Sequence, residues 1–155
     1  MSEESQSWKS TQGVIQRPAE SRLSTFPPES LLTPRRLDVA LKWRFFRHLH
    51  GGADGKAEKA YLWHIEKRSG HRMRAGMSTD KWKRALSDYG AAAIDLYQSM
   101  LLNGWDNNSP IPIDLNGELL DGSHRLACAM ALELPNITVI KMNGFAWAPS
   151  WGREW

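Results

Sequence analysis

The sequence predicts a small α+β protein: a mixed sheet flanked by helices, with an N-terminal helical extension. Three observations carry this expectation. Between residues 33 and 104, apolar residues recur at helical spacing and glycines separate the runs. After Gly104 the period changes, and "PIPIDL" and "ITVIK" have the composition of short strands. Between those two runs a helix pattern starts at Ser123.

Residues 1–32 are rich in Ser, Gln, Glu and Pro. They read as an extended arm that stays disordered unless it packs on the body. Trp8, Leu23 and Phe26 are its candidate anchors. The remainder, 33–155, reads as one domain in three parts: helical 33–104, motif-bearing α/β 105–142, and an aromatic tail 143–155.

The first helix opens at Thr33-Pro34, a cap followed by a residue suited to the first turn. Leu37, Ala40, Leu41 and Phe45 are its inward positions, and Gly51-Gly52 stop it. A second helix covers 56–68, with Tyr61, Leu62 and Ile65 inward, and ends at Gly70. Residues 69–78 then read as a basic loop, and Thr79-Asp80 begin a short helix. The next helix runs over 88–103, capped by Ser87 or Asp88, with Tyr89, Ala93, Leu96 and Met100 on one face. "NG" at 116–117 makes a hairpin turn between "PIPIDL" and "ELL". Asp121-Gly122 turns the chain into a helix whose inner stripe is Leu126, Met130 and Leu134. Pro135-Asn136 breaks that helix before "ITVIK".

Composition excludes several classes. The chain has 155 residues, 41% hydrophobic and 24% charged, as in globular proteins. One cysteine, Cys128, rules out an intramolecular disulfide and a multi-cysteine zinc site. His48 and His50 lack a third ligand at metal spacing, so no protein-held metal site is expected. No apolar run approaches the ~18 residues of a membrane span. The N-terminus is acidic and polar, without a secretory pattern, so the cytoplasm is the expected compartment. A net charge of +3 is too small to argue for nucleic acid by itself.

The chemistry concentrates in "LLDGSHRLACAMAL", residues 119–132. An acid, a hydroxyl, an imidazole and a guanidinium meet at the mouth of an apolar helix, which is costly unless the charges are paired or held for a ligand. Gly122 lets the backbone approach a ligand, and the helix N-terminus favours an anion. Ser123 can donate a hydroxyl, and Arg125 a charge-assisted bond. Each residue also has a purely structural role open to it: Asp121 or Ser123 as a cap, His124 and Arg125 as a hydrogen-bonded pair at a helix start.

The stretch "LYQSMLLNGWDNNSPIPIDLNGELLDGSHRLACAMALELPNITVI", residues 96–140, resembles the ParB/sulfiredoxin superfamily in the order of its parts. The resemblance covers about a third of the chain. It implies a ParB/sulfiredoxin-like fold and a nucleotide-phosphate site at Gly122, Ser123, His124 and Arg125. Sulfiredoxins carry a cysteine after the glycine, where this chain has Ser123, so their chemistry is not expected. Partition proteins carry a helix-turn-helix after this unit, and only fifteen residues follow Ile140. "DGSHR" is most similar to the Asp-Gly-His-His-Arg motif of the kinase-like branch. That branch implies ATP or ADP with Mg²⁺ and phosphoryl transfer to a small hydroxyl-bearing acceptor. Asp121 and His124 are then the candidate catalytic residues. The branch also uses an upstream glutamate, for which Glu58 and Glu66 are available.

Arg72, Arg74 and Lys81 are candidates for additional phosphate contacts, against the plainer reading of a solvated basic surface. The rival function is a non-enzymatic nucleotide- or DNA-associated module. It would use that basic segment and the first helix's Arg35, Arg36, Lys42, Arg44 and Arg47. Cys128 is expected in the core, since nothing near it in sequence would lower its pKa.

Overall fold

A computed structural model describes residues 9–10, 13–14, 22–74 and 85–142. The expected helix near 79–84, Trp8, Lys81 and the aromatic tail lie outside the described residues. The architecture is α+β. Two short strands, β1 (Lys9–Ser10) and β2 (Gly13–Val14), pair antiparallel. The main sheet has three strands, β3 (Arg22–Phe26), β4 (Ile111–Ile113) and β5 (Ile137–Lys141), in the order β3-β5-β4. β3 runs antiparallel to β5 and β4 runs parallel to it, so the sheet is mixed. Four helices accompany it among the described residues: α1 (Leu37–Leu49), α2 (Ala57–Arg74), α3 (Leu86–Asn103) and α4 (Ser123–Ala131).

A parallel pair needs a crossover, and α4 supplies it between β4 and β5. α4 carries Ala127, Cys128, Ala129 and Ala131, all buried. Small side chains on several faces let α1 approach closely while Leu126 fills the core. Met130, expected in the inner stripe, is only half-buried.

The arm is more integrated than composition suggested. Residues 22–26 form the edge strand β3, and Pro28–Leu31 make a 3₁₀ turn whose Pro28 and Leu31 are buried. Leu23 and Phe26 do not anchor it, being 65% and 36% exposed. Backbone pairing to β5 holds the strand instead, from Arg22 opposite Lys141 to Phe26 opposite Ile137.

α1 is phased differently from the expectation. Its buried residues are Asp38, Val39, Lys42, Phe45 and Phe46, while Leu37 is exposed. Thr33-Pro34 precede the helix in a turn closed by Arg36 N–H donating to the Thr33 carbonyl at 2.9 Å. α2 does not stop before Gly70 but continues to Arg74. One glycine costs a helix only about 1 kcal/mol, and the Lys and Arg around it are good helix formers. α3 begins at Leu86, with the Asp88 carboxylate accepting from Ala85 N–H at 2.8 Å. The expected "ELL" strand reduces to a single bridge between Ile113 and Leu119. The buried Asp114 carboxylate accepts from the N–H groups of Asn116 and Glu118, both at 2.8 Å, and so tightens the turn.

Candidate functional site

The chain reaches the site through Gly122, whose φ of 84° and ψ of 22° place it in the left-handed region. Glycine adopts this without the strain another residue would carry. The turn delivers Ser123 to the first position of α4, and Leu126 N–H closes the first helical turn on the Gly122 carbonyl at 2.9 Å. The first-turn amides of such a helix have no acceptors within it and face outward as a cradle for negative charge. Asp121 Oδ1 accepts from Gly122 N–H at 2.7 Å, which fixes the entry to the turn.

Across from Ser123 lies a cluster that the sequence reading did not assemble. Lys42 Nζ donates to Ser123 Oγ at 2.6 Å and to Asp38 Oδ2 at 3.0 Å. Arg36 grips the same carboxylate with both prongs, Nε on Oδ1 at 2.8 Å and Nη2 on Oδ2 at 2.9 Å, and its Nη1 donates to the Leu119 carbonyl. Arg68, from α2, brings Nη1 to 3.6 Å from Asp38 Oδ2. Three cations thus share one carboxylate. Asp38 has no solvent exposure, and Lys42 has almost none.

These distances set the protonation states. Burial pushes the Asp38 carboxyl up, but the hydrogen bond from Arg36 and the charges of Lys42 and Arg36 outweigh it, so Asp38 stays ionised far below the usual carboxylate range. Burial drives Lys42 down to about 8, opposed by Asp38 and reinforced by Arg68. His64, fully buried one turn before Arg68, is lowered to about 4 by burial and by Lys42. It is neutral at pH 7.

The remaining motif residues face elsewhere. Tyr61 Oη donates to the Tyr89 carbonyl at 3.3 Å and lies 2.9 Å from His124 Nε2. Tyr61 also stacks on Phe45, with ring centroids 4.5 Å apart, so His124 is held by the core of α1 and α2. Arg125 Nη1 donates to the Ser109 carbonyl at 2.5 Å, at the start of β4. Burial lowers its pKa against the charges of Asp121 and Asp106. Cys128 is in the core as expected, and burial pushes its thiol up to about 12.

The structure therefore brings Gly122 and Ser123 together with Asp38, Lys42, Arg36 and Arg68. It does not bring Glu58 or Glu66 inward; both are exposed on α2. Arg72 and Arg74 lie on the last turn of α2 and their side chains are outside the described residues, as is Lys81. The chain matches no family model, no curated protein and no solved structure.

Of the cations that favoured a DNA surface, Arg36 and Lys42 are engaged in the interior, while Arg44 and Arg47 form ion pairs at the surface. Arg36 and Lys42 pair with Asp38, Arg44 with Asp54, and Arg47 with Glu133. Among the described residues, no group of three or more His, Cys, Asp or Glu gathers to hold a metal ion. A Mg²⁺ carried on nucleotide phosphates needs only one or two protein carboxylates. Asp121 is the half-buried carboxylate beside the Gly122 turn, where its Oδ1 accepts from Gly122 N–H. No helix among the described residues is long and apolar enough to cross a membrane.

The sequence did hold a signal for the missed residues. Asp38 and Lys42 are four apart and fall on the face of Phe45 and Phe46, at i, i+4, i+7 and i+8. Two opposite charges within an apolar stripe mark a buried pair.

Proposed function

We infer that this protein is a nucleotide-binding ParB/sulfiredoxin-like phosphotransferase, using ATP or ADP with Mg²⁺ to phosphorylate a small hydroxyl-bearing acceptor. The observation that carries this reading is the gathering of Arg36, Lys42 and Arg68 around the single carboxylate of Asp38, beside the Gly122–Ser123 turn. The surplus of positive charge favours an anion there, and the first-turn amides of α4 add to it. Ser123 and those amides contact the terminal phosphate, while Lys42 and Arg68 neutralise charge as it shifts towards the leaving oxygen. Asp38 keeps the Lys42 ammonium oriented. Asp121 would help to hold Mg²⁺, which would supply neutralisation of the phosphate charge. The engagement of Arg36 and Lys42 with the buried Asp38 takes two of the cations a DNA-associated module would use.

Calorimetric titration of ATP and ADP into the full chain, with and without Mg²⁺, tests the reading. Binding that Lys42→Ala weakens at least tenfold supports it, the size expected when a charge-assisted bond is removed. Absence of binding by both nucleotides refutes it. Salt-sensitive binding of duplex DNA with no nucleotide binding would favour the rival module.

A further inference from the structure

A lysine that serves only as a phosphate ligand does not need to be buried against a hydroxyl. Lys42 is buried, and its Nζ sits 2.6 Å from Ser123 Oγ. Asp38 and Arg36 fix it from behind, with Asp38 Oδ2 at 3.0 Å. Ser123 itself is only half-buried, so the residue is open to solvent on part of its surface. The serine follows a left-handed glycine and opens a helix, so Oγ lies at the helix's positive end. A hydroxyl with an adjacent base, itself oriented by a third group, is the arrangement by which a weak nucleophile becomes a good one.

We propose that Ser123 is a covalent nucleophile, activated by Lys42, that accepts the terminal phosphoryl group of the nucleotide before it passes to the acceptor. The proposal rests on the nucleotide-phosphate reading of the same site. In the first step the neutral Lys42 amine takes the Ser123 hydroxyl proton. Oγ forms a bond to the terminal phosphorus of ATP, and the bond from that phosphorus to the β-phosphate oxygen breaks. ADP leaves with the electron pair. In the second step the acceptor hydroxyl attacks the phosphorus of phosphoserine 123. Oγ leaves and recovers its proton from the Lys42 ammonium, while the acceptor's proton passes to solvent. The intermediate dianion lies at the positive end of α4 beside Lys42, an environment that stabilises it. Lys42, at about 8, supplies a useful neutral fraction near neutral pH.

The test is to incubate the full chain with ATP and Mg²⁺ without an acceptor, quench in acid, and map phosphorylation by peptide mass spectrometry. ATP binding is measured in parallel by calorimetry. The expected result is one phosphoryl group on Ser123, absent from Ser123→Ala; because Ser123 also contacts the phosphate, the label is read at ATP concentrations that calorimetry shows to saturate each variant. Lys42→Arg keeps the charge but cannot act as a base, so it is expected to bind ATP and lose the label. Circular dichroism confirms that each variant is folded. A parent chain that binds ATP yet carries no label on Ser123 overturns the covalent step and leaves the binding reading standing. So does label that persists in Ser123→Ala. A parent chain that binds neither ATP nor ADP overturns both. If Lys42→Arg does not fold, the parent and Ser123→Ala comparison decides the matter alone.

Discussion

Lys42 Nζ and Ser123 Oγ lie 2.6 Å apart although 81 positions separate them in the chain. That hydrogen bond joins the middle of α1 to the first residue of α4 and unites the buried ion cluster with the glycine turn. The stability of the cluster and the competence of the turn are therefore coupled.

Asp38→Asn is expected to be far more damaging to stability than Lys42→Met. Removing the only carboxylate leaves Arg36 and the buried Lys42 without compensation, at a cost of about 3–5 kcal/mol. Removing Lys42 leaves Asp38 still gripped by both prongs of Arg36, and methionine fills a similar volume, so the loss is about 1 kcal/mol or less. Urea denaturation of the two variants measures the difference. Equal losses would mean that Asp38 is not the counter-ion that holds the cluster.

Phosphate affinity is expected to be steady below about pH 7 and to fall as pH rises through 8. Lys42 titrates near 8, and only its ammonium attracts the ligand. Around it Asp38 stays ionised, and His64 is neutral above about 4. The affinity for ATP then drops by up to about tenfold per pH unit above the transition. Titrations at several pH values check this, and Lys42→Arg is expected to flatten the profile.

The acid side of the stability profile is assigned to His64. Its folded pKa is depressed from 6.5 to about 4, so between those values the unfolded chain binds the extra proton. Stability therefore falls as pH is lowered from 6.5 towards 4, by up to about 3 kcal/mol. Below about 3.8 the protonation of Asp38 in the unfolded chain adds a further loss. His64→Gln is expected to lose most of the slope between pH 6.5 and 4, read from urea midpoints across that range. An unchanged slope would place the titrating group elsewhere.

Gly122→Ala is expected to weaken ATP binding more than Ser123→Ala. A Cβ on Gly122 would meet Arg125 Nη2 and Ile111 Cγ1, each at 3.1 Å, and φ is +84°. The left-handed conformation costs about 1–2 kcal/mol for alanine, and Arg125 must shift from its hold on Ser109. Ser123→Ala removes one hydroxyl and keeps the backbone donors. Calorimetry on the two variants ranks them. A greater loss for Ser123→Ala would assign the binding energy to the hydroxyl.

Local pattern alone determined the strand–turn–helix of residues 111–131, the sharp turn at Gly122, the helix beginning at Ser123 and the strand over "ITVIK". Each depends on neighbours a few residues away: a glycine where the chain must reverse, β-branched residues in a short run, small residues in a helix. The tertiary structure decided what that turn faces. Arg36 and Lys42 look like part of a solvated basic face when α1 is phased on Leu37, Ala40 and Leu41. They become a buried cluster once Phe45 and Phe46 turn α1 by their packing against α2 and α4. His124 looks like a ligand residue in its motif, yet its orientation is set by Tyr61, 63 positions earlier. The arm looked unattached because its apolar residues are few, and β3 is held by backbone hydrogen bonds to β5 that composition does not report. Periodicity reads which residues share a face. Only packing selects which face is buried, and in α1 that selection placed Asp38 and Lys42 against Ser123.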